Sequence, residues 1–139
     1  MKGQGISDSI AVAEPFHIIR LYCDSSGKSH FSDEKLSFQL LDFAPPAPPI
    51  SVSEMIKIHE DAFIISSPAG WFGSWHPAPK RQMLFMLEGK LEVEVSDGDI
   101  RTFLPGSAIL VEDTIGKGHI SHVIGDDRCY MLVLPVAEY

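Results

Sequence analysis

Two histidines and one glutamine have the types and spacing of a small-molecule or metal site. Glycines bound the first part of this pattern, which reads Gly70-x5-His76-x-Ala78-x3-Gln82-x6-Gly89. A neutral imidazole nitrogen or an amide oxygen can accept a hydrogen bond or ligate a divalent ion, but a zinc site usually needs three or more protein donors. His76, Gln82 and, further along, His119 are the candidate donors. We therefore expect a small-molecule site in which Zn, Ni, Fe or Mn binds weakly or not at all.

The glycine-bounded pattern resembles the first motif of the cupin superfamily, G-x5-H-x-H-x3-4-E-x6-G. Ala78 stands at the second histidine of that motif and Gln82 at its glutamate. In a second motif, Leu104-Pro105-Gly106-Ser107 resembles the Pro-Gly-Asp turn and Gly116-Lys117-Gly118-His119 matches G-x2-H. The resemblance covers residues 58–135 approximately. It extends to a subgroup of small bacterial cupin-domain proteins, of the RmlC-like type, which has no activity to transfer.

The resemblance implies an all-β fold, the double-stranded β-helix or jelly-roll barrel of cupins, with an N-terminal strand extension. It also implies that His76, His119 and Gln82 are what remains of a metal site. Because glutamine exchanges no proton at neutral pH, the change at position 82 removes both a charged ligand and a general base. This favours a small-molecule-binding protein with a degenerate metal site. The alternatives are a metal-dependent isomerase or dioxygenase of the cupin type, and a purely structural scaffold.

Strand alternation predicts which side chains share the interior face with the candidate donors. If His76 points inward, Phe72 shares its face, whereas Trp71 lies on the other. Met86 shares a face with Gln82 in the following strand. The predicted ligand-binding residues are therefore His76, Gln82, His119, Met86 and Phe72. By the same rule His119 points inward and His122 outward.

Four basic residues could surround the mouth of the barrel: Lys80, Arg81, Arg101 and Lys117. Lysine and arginine recognise carboxylates and phosphates, so these residues would favour an anionic small molecule. The alternative is that they are solvated surface charges.

The second half of the chain has the pattern of short strands. Leu91 to Val95 alternates strictly between apolar and polar residues, as a half-buried strand does. Glu88-Gly89-Lys90 and Ser96-Asp97-Gly98 each supply a glycine where a tight hairpin needs positive φ. Regularly spaced short strands indicate a sandwich or barrel.

The acidic composition limits the classes of partner. The formal net charge is −8, with 19 acidic and 11 basic residues, which opposes binding to nucleic acid or to an anionic membrane surface. The sequence has no apolar run like the core of a signal peptide, and its two cysteines are far apart. These features predict a cytoplasmic protein.

We expect residues 1–15 to form a flexible arm and residues 16–139 to form one cupin domain. The β-prone segment from Phe16 to Phe43 lies outside the motif core and is followed by a proline-rich run. Open sheet edges are often covered by a second subunit, so this segment predicts a homodimer in which it adds strands to its own or the partner's sheet.

Overall fold

The computed structural model describes residues 11–137, so most of the predicted N-terminal arm lies outside the described residues. The secondary structure of the described range consists of strands: β1 (Phe16–Cys23), β2 (Ser29–Leu36), β3 (Phe38–Leu41), β4 (Ile50–Ser53), β5 (Phe63–Ser67), β6 (Phe72–His76), β7 (Gln82–Glu88), β8 (Lys90–Val95), β9 (Ile100–Phe103), β10 (Ala108–Val111), β11 (His119–Ile124) and β12 (Cys129–Pro135). Residues 11–137 contain no helix long and apolar enough to cross a membrane.

The described chain forms two compact units. The smaller one comprises residues 11–17 and 35–56, and the larger one residues 18–34 and 57–137. In the smaller unit, β3 and β4 form an antiparallel hairpin in which Phe38 lies opposite Ser53 and Leu41 opposite Ile50. The connection contains a cis peptide bond between Pro45 and Pro46. The prediction of a single domain over residues 16–139 stays a prediction.

Two sheets build the larger unit. One has the strand order β2-β1-β10-β7-β12-β5, and the other has the order β6-β11-β8-β9. Strand β1 runs parallel to β10, whereas β7 runs antiparallel to both β10 and β12. Neighbours in sequence thus often lie in different sheets, as in a jelly roll.

Apolar side chains from both sheets fill one core. In β8 the alternation predicted from sequence is observed, because Leu91, Val93 and Val95 are each at most 3% exposed. Leu21 and Ile109, from the other sheet, are each 1% exposed and belong to the same cluster. The prediction of an all-β, jelly-roll fold is confirmed.

Only one of the two predicted glycine hairpins forms. Ser96 to Gly98 connects the paired strands β8 and β9, as expected. At Gly89, however, φ is +87° but β7 and β8 lie in different sheets, so the chain crosses between sheets there. A Cβ on Gly89 would lie 2.7 Å from the carbonyl oxygen of Arg128. The glycine is needed for a tight crossing rather than for a hairpin turn.

A histidine clamp joins the two sheets of the larger unit. His30 on β2 contacts Asp24 through Nε2 and Asp97 through Nδ1, both at 2.7 Å. Since a carboxylate only accepts hydrogen bonds, this geometry suits the imidazolium form. Hydrogen bonding to Asp24, and then to Asp97, raises the pKa of His30. The pKa of Asp24 is lowered, mainly by its bond from Ser26, and that of Asp97 mainly by its bond from the Asp99 backbone.

The clamp predicts a stability that declines on the alkaline side. A raised histidine pKa stabilises the fold fully below the ordinary value of about 6.5, and the contribution is lost as the pH rises through the raised pKa. The lowered pKa values of Asp24 and Asp97 have the opposite effect: they stabilise the fold above the ordinary pKa of about 4, and this contribution is lost as the pH falls. Urea midpoints measured from pH 5.5 to pH 9 should fall with pH, and His30→Gln should flatten that slope. Exposed His59→Gln is the control, and an unchanged slope in His30→Gln would contradict the assignment.

Candidate functional site

The larger unit contains a cavity of about 130 Å³ to which three predicted donors contribute. Its polar wall residues are Ser67, His76, Gln82, His119 and Ser121, and most of the remaining wall is apolar. The structure therefore brings His76, Gln82 and His119 to one cavity, whereas Phe72 and Met86 are absent from its wall. Trp71, which was predicted to face away, lines it.

A β-bulge between β6 and β11 explains the change of face. His119 pairs with His76 and Ser121 with Gly73, so three steps along β6 match two along β11. The extra residue reverses the alternation beyond it. As a result Phe72 packs on His122, with ring centroids 5.6 Å apart, and is 58% exposed. The prediction that Phe72 shares the face of His76 was wrong.

Met86 lies on the predicted face of β7, but too far along the strand to reach the cavity. Gln82 begins β7 and reaches the cavity together with Leu84. Met86 lies four residues further along, a distance of roughly 13 Å in a strand. It is 2% exposed within the apolar core. The alternation rule gives the face of a residue but not the position at which the cavity ends.

The two cavity histidines are each oriented through Nδ1. His76 Nδ1 donates to the carbonyl oxygen of Ser74 at 2.6 Å, and His119 Nδ1 donates to Asp113 Oδ2 at 2.6 Å. Their ring centroids lie 4.6 Å apart, at an interplanar angle of 56°. In a neutral imidazole, an Nδ1–H bonded to an oxygen fixes the tautomer in which Nε2 carries the lone pair.

Asp113 is a site residue that belongs to neither motif, and an aspartate in a loop is usually a turn former. The structure instead buries it completely beneath His119, where Oδ1 has no hydrogen-bond partner among the described groups. The Asp113 carbonyl oxygen also accepts from the Ala78 backbone N–H at 3.0 Å. No spacing rule links an aspartate to a histidine six residues later across a glycine-rich loop.

A close backbone contact holds the two histidine strands together. Gly118 has φ of +79°, and a Cβ there would lie 1.9 Å from the carbonyl oxygen of His76. On the other side, Ser29 Oγ donates to the carbonyl oxygen of Gly118 at 2.7 Å. Ser29 is fully buried and also accepts a hydrogen bond from the Ser96 backbone. Gly118 is therefore packed tightly immediately before His119.

No protein-family model and no curated protein matches this chain. Among solved structures, the cupin domain of Cnp3 from Schizosaccharomyces pombe is 16% identical, with a TM-score of 0.41, and the match covers 88% of this chain and 85% of that domain. The DMSP lyase DddQ from Ruegeria pomeroyi is 18% identical, with a TM-score of 0.47, and the match covers 74% of this chain and 47% of the lyase. Protein NMB1881 from Neisseria meningitidis is 13% identical, with a TM-score of 0.43, over 97% and 95% of the two chains. These likenesses are loose.

The sheets and the cavity give the arrangement that the two sequence motifs imply. Two sheets enclose one core, and both motif histidines and Gln82 meet at a single cavity. The fold is an all-β jelly roll, which is the fold that the resemblance implies. The resemblance stated from sequence is thereby confirmed at the level of the fold, which by itself does not fix an activity.

The basic residues predicted at the mouth of the cupin barrel do not line the cavity. Lys80 pairs with Glu60, and Arg81 pairs with Glu112. Arg101 contacts Asp33 at 3.2 Å and Asp99 at 3.4 Å, and Lys117 lies over the ring of Trp75 at 4.1 Å. Lys80, Arg101 and Lys117 match the alternative of surface charges, whereas Arg81, whose side chain is 16% exposed, is held in a partly buried ion pair.

The residues present do not fit the metal set of the cupin motif. Ala78, which is 3% exposed, puts a methyl group in the cavity wall where that motif has its second histidine. Gln82 offers an amide where the motif has a carboxylate. Within residues 11–137 there is no group of three or more His, Cys, Asp or Glu side chains placed to hold an ion. Two imidazoles and an amide form a weak donor set for a divalent metal.

Proposed function

We propose that this cupin-domain protein binds a small molecule in the cavity of His76, Gln82 and His119. The observation that carries the proposal is the pair of imidazoles, 4.6 Å apart, each oriented by a backbone or carboxylate oxygen within one largely apolar cavity. A few convergent polar groups in apolar walls are the usual form of a ligand site. The buried Asp113 fixes the His119 ring, so the site is preorganised.

Binding is better supported than the alternative of a metal-dependent isomerase or dioxygenase. Such an enzyme would have to hold its metal with His76, His119 and the neutral amide of Gln82. The amide is a poorer ligand than a carboxylate, and it cannot act as a general base. The proposed function therefore assigns these residues to ligand recognition, with a divalent metal bound weakly or not at all.

The test uses two matched histidines that lie on opposite faces of the same sheet. A fragment library of small compounds is screened by thermal shift and by the imidazole NMR signals of the protein. We expect His76→Ala to weaken binding, because it removes a polar wall residue of the cavity, whereas His122→Ala should leave binding unchanged. Native mass spectrometry of protein purified without a metal-affinity tag detects any ligand that is already bound. Fragments that bind His76→Ala as tightly as they bind the parent protein, or a screen without a binder, would refute the site.

We also propose a homodimer that uses the segment from Phe16 to Phe43. Within this segment, apolar side chains of the smaller unit are exposed at Phe16 (39%), Leu40 (38%) and Phe43 (67%). An isolated two-stranded hairpin is marginally stable, and contiguous exposed apolar surface is typical of interfaces. Light scattering at micromolar concentration should report a dimer, and Phe43→Ser should weaken it. A monomer in the parent protein would refute this proposal.

A further inference from the structure

We infer that the cavity selects an uncharged ligand, about the size of benzene, that carries an O–H or N–H donor. This inference rests on the proposed function, since it specifies the ligand class of the same site. The cavity volume is about 130 Å³. An engineered cavity of roughly 150 Å³ in another protein holds benzene, so about six or seven non-hydrogen atoms fit here.

The apolar wall determines the body of the ligand. Leu84, Leu91, Val111 and Met131 line the cavity together with Trp71. Leu84, Leu91, Val111 and Met131 are each at most 9% exposed, and they come from both sheets. Such a wall favours a ring or short hydrocarbon chain, because burying a polar body without partners is costly.

The histidines determine the polar group of the ligand. Each Nδ1–H is already used, by Ser74 in one case and by Asp113 in the other. What each ring still offers is the lone pair on Nε2, which is a hydrogen-bond acceptor. Two acceptors on rings 4.6 Å apart call for a donor on the ligand, and an acceptor left unpaired in this wall would be costly. The amide of Gln82 can serve as either donor or acceptor.

The charges around the cavity favour a neutral ligand. No Asp, Glu, Lys or Arg belongs to the described residues that line it. An anion would face two nitrogen lone pairs, with the Asp113 carboxylate behind one of them. A cation would have to leave water for a wall without a carboxylate. Burying either charge without a counter-charge is strongly unfavourable.

Four probes separate these alternatives: phenol, aniline and toluene, with seven non-hydrogen atoms each, and benzoate, with nine. The neutral amide benzamide, which has the shape of benzoate, controls for its larger size. Phenol and toluene have the same shape and differ in a donor, whereas benzoate carries a negative charge. We expect phenol and aniline to bind about fivefold more tightly than toluene, since one hydrogen bond contributes roughly 1 kcal/mol and about 1.4 kcal/mol corresponds to a factor of ten. They should shift the Nε2 signals of His76 and His119 in ¹⁵N NMR spectra, and benzoate should not bind.

Variants test whether the histidines cause the preference. His76→Ala should roughly halve the preference for phenol over toluene, because the single donor of phenol then has one acceptor instead of two. His122→Ala should keep it. If His76→Ala fails to fold, the four probes on the parent protein still decide the matter.

The outcomes distinguish a wrong ligand class from a wrong site. Benzoate binding most tightly, or toluene matching phenol, would overturn the class while leaving the cavity as the binding site. If none of the probes binds but the fragment screen finds other cavity ligands, the inferred ligand class is refuted and the proposed function is not. If the screen also finds none, both the class and the proposed function fail. Tighter phenol and aniline binding, with shifts at both histidines, supports the inference.

Discussion

The double variant Ala78→His/Gln82→Glu should bind Zn and Ni about a thousandfold more tightly than the parent protein, or better. Both positions line the same cavity as His76 and His119. The variant therefore assembles three imidazoles and a carboxylate from residues that already meet. A complete structural zinc site contributes roughly 10–16 kcal/mol, and the parent has only half of its strong donors.

Isothermal titration with Zn, Ni and Mn beside the parent measures the gain. Each single variant should show an intermediate affinity, because each adds one donor. Adding His76→Ala to the double variant should return the affinity most of the way to that of the parent. Adding His122→Ala should have no effect, since His122 lies against Phe72 on the other face. Equal binding by the double variant and the parent would show that the four positions do not converge.

Sequence spacing predicted the convergence of His76, Gln82 and His119 because motif spacing in a jelly roll fixes where each strand crosses the barrel. The same reasoning failed for Phe72, whose face depends on a bulge that involves pairing with β11. A signal for that bulge was present, since an isolated glycine within a strand, here Gly73, often marks one. The signal is too common to decide the register on its own.

Other features depend on contacts between distant parts of the chain. The positive φ at Gly89 was predicted, but not that the strands on either side of it join different sheets. Asp113 could not be assigned, because its burial under His119 depends on the path of a loop. The sequence positions of the basic residues also did not predict their contacts, because Lys117 and Arg101 contact residues that are distant in sequence. Local sequence thus predicts the elements and the motif positions, and long-range pairing determines the rest.

The backbone that carries the histidines explains why the site is rigid. Gly118 lies between Ser29, which donates to its carbonyl oxygen, and His76, whose carbonyl oxygen occupies the space of a side chain. The bulge in β6 and the glycine that precedes β11 therefore meet at one point. Close backbone approach there holds the two imidazoles near each other without a metal to join them.

Gly118→Ala should consequently destabilise the protein by about 4 kcal/mol or more. An alanine with positive φ costs roughly 1–2 kcal/mol, and here its Cβ would also overlap a backbone oxygen that no side-chain rotation can move. Gly98→Ala is the matched control. It has φ of +97° but nothing within 4 Å of the added Cβ, so it should cost only about 1–2 kcal/mol.

Urea unfolding of the parent and both variants gives the comparison. If Gly118→Ala yields too little folded protein for an equilibrium curve, its soluble yield and hydrogen exchange relative to Gly98→Ala give the same ranking. Any folded Gly118→Ala protein should also have shifted imidazole signals for His76 and His119, because the strands that carry them must separate. His59, which is exposed and donates through its backbone N–H to Pro135, should keep its signal. Equal stability of the two variants would mean that Gly118 is needed only for its φ angle and that the close contact with His76 does not hold the site together.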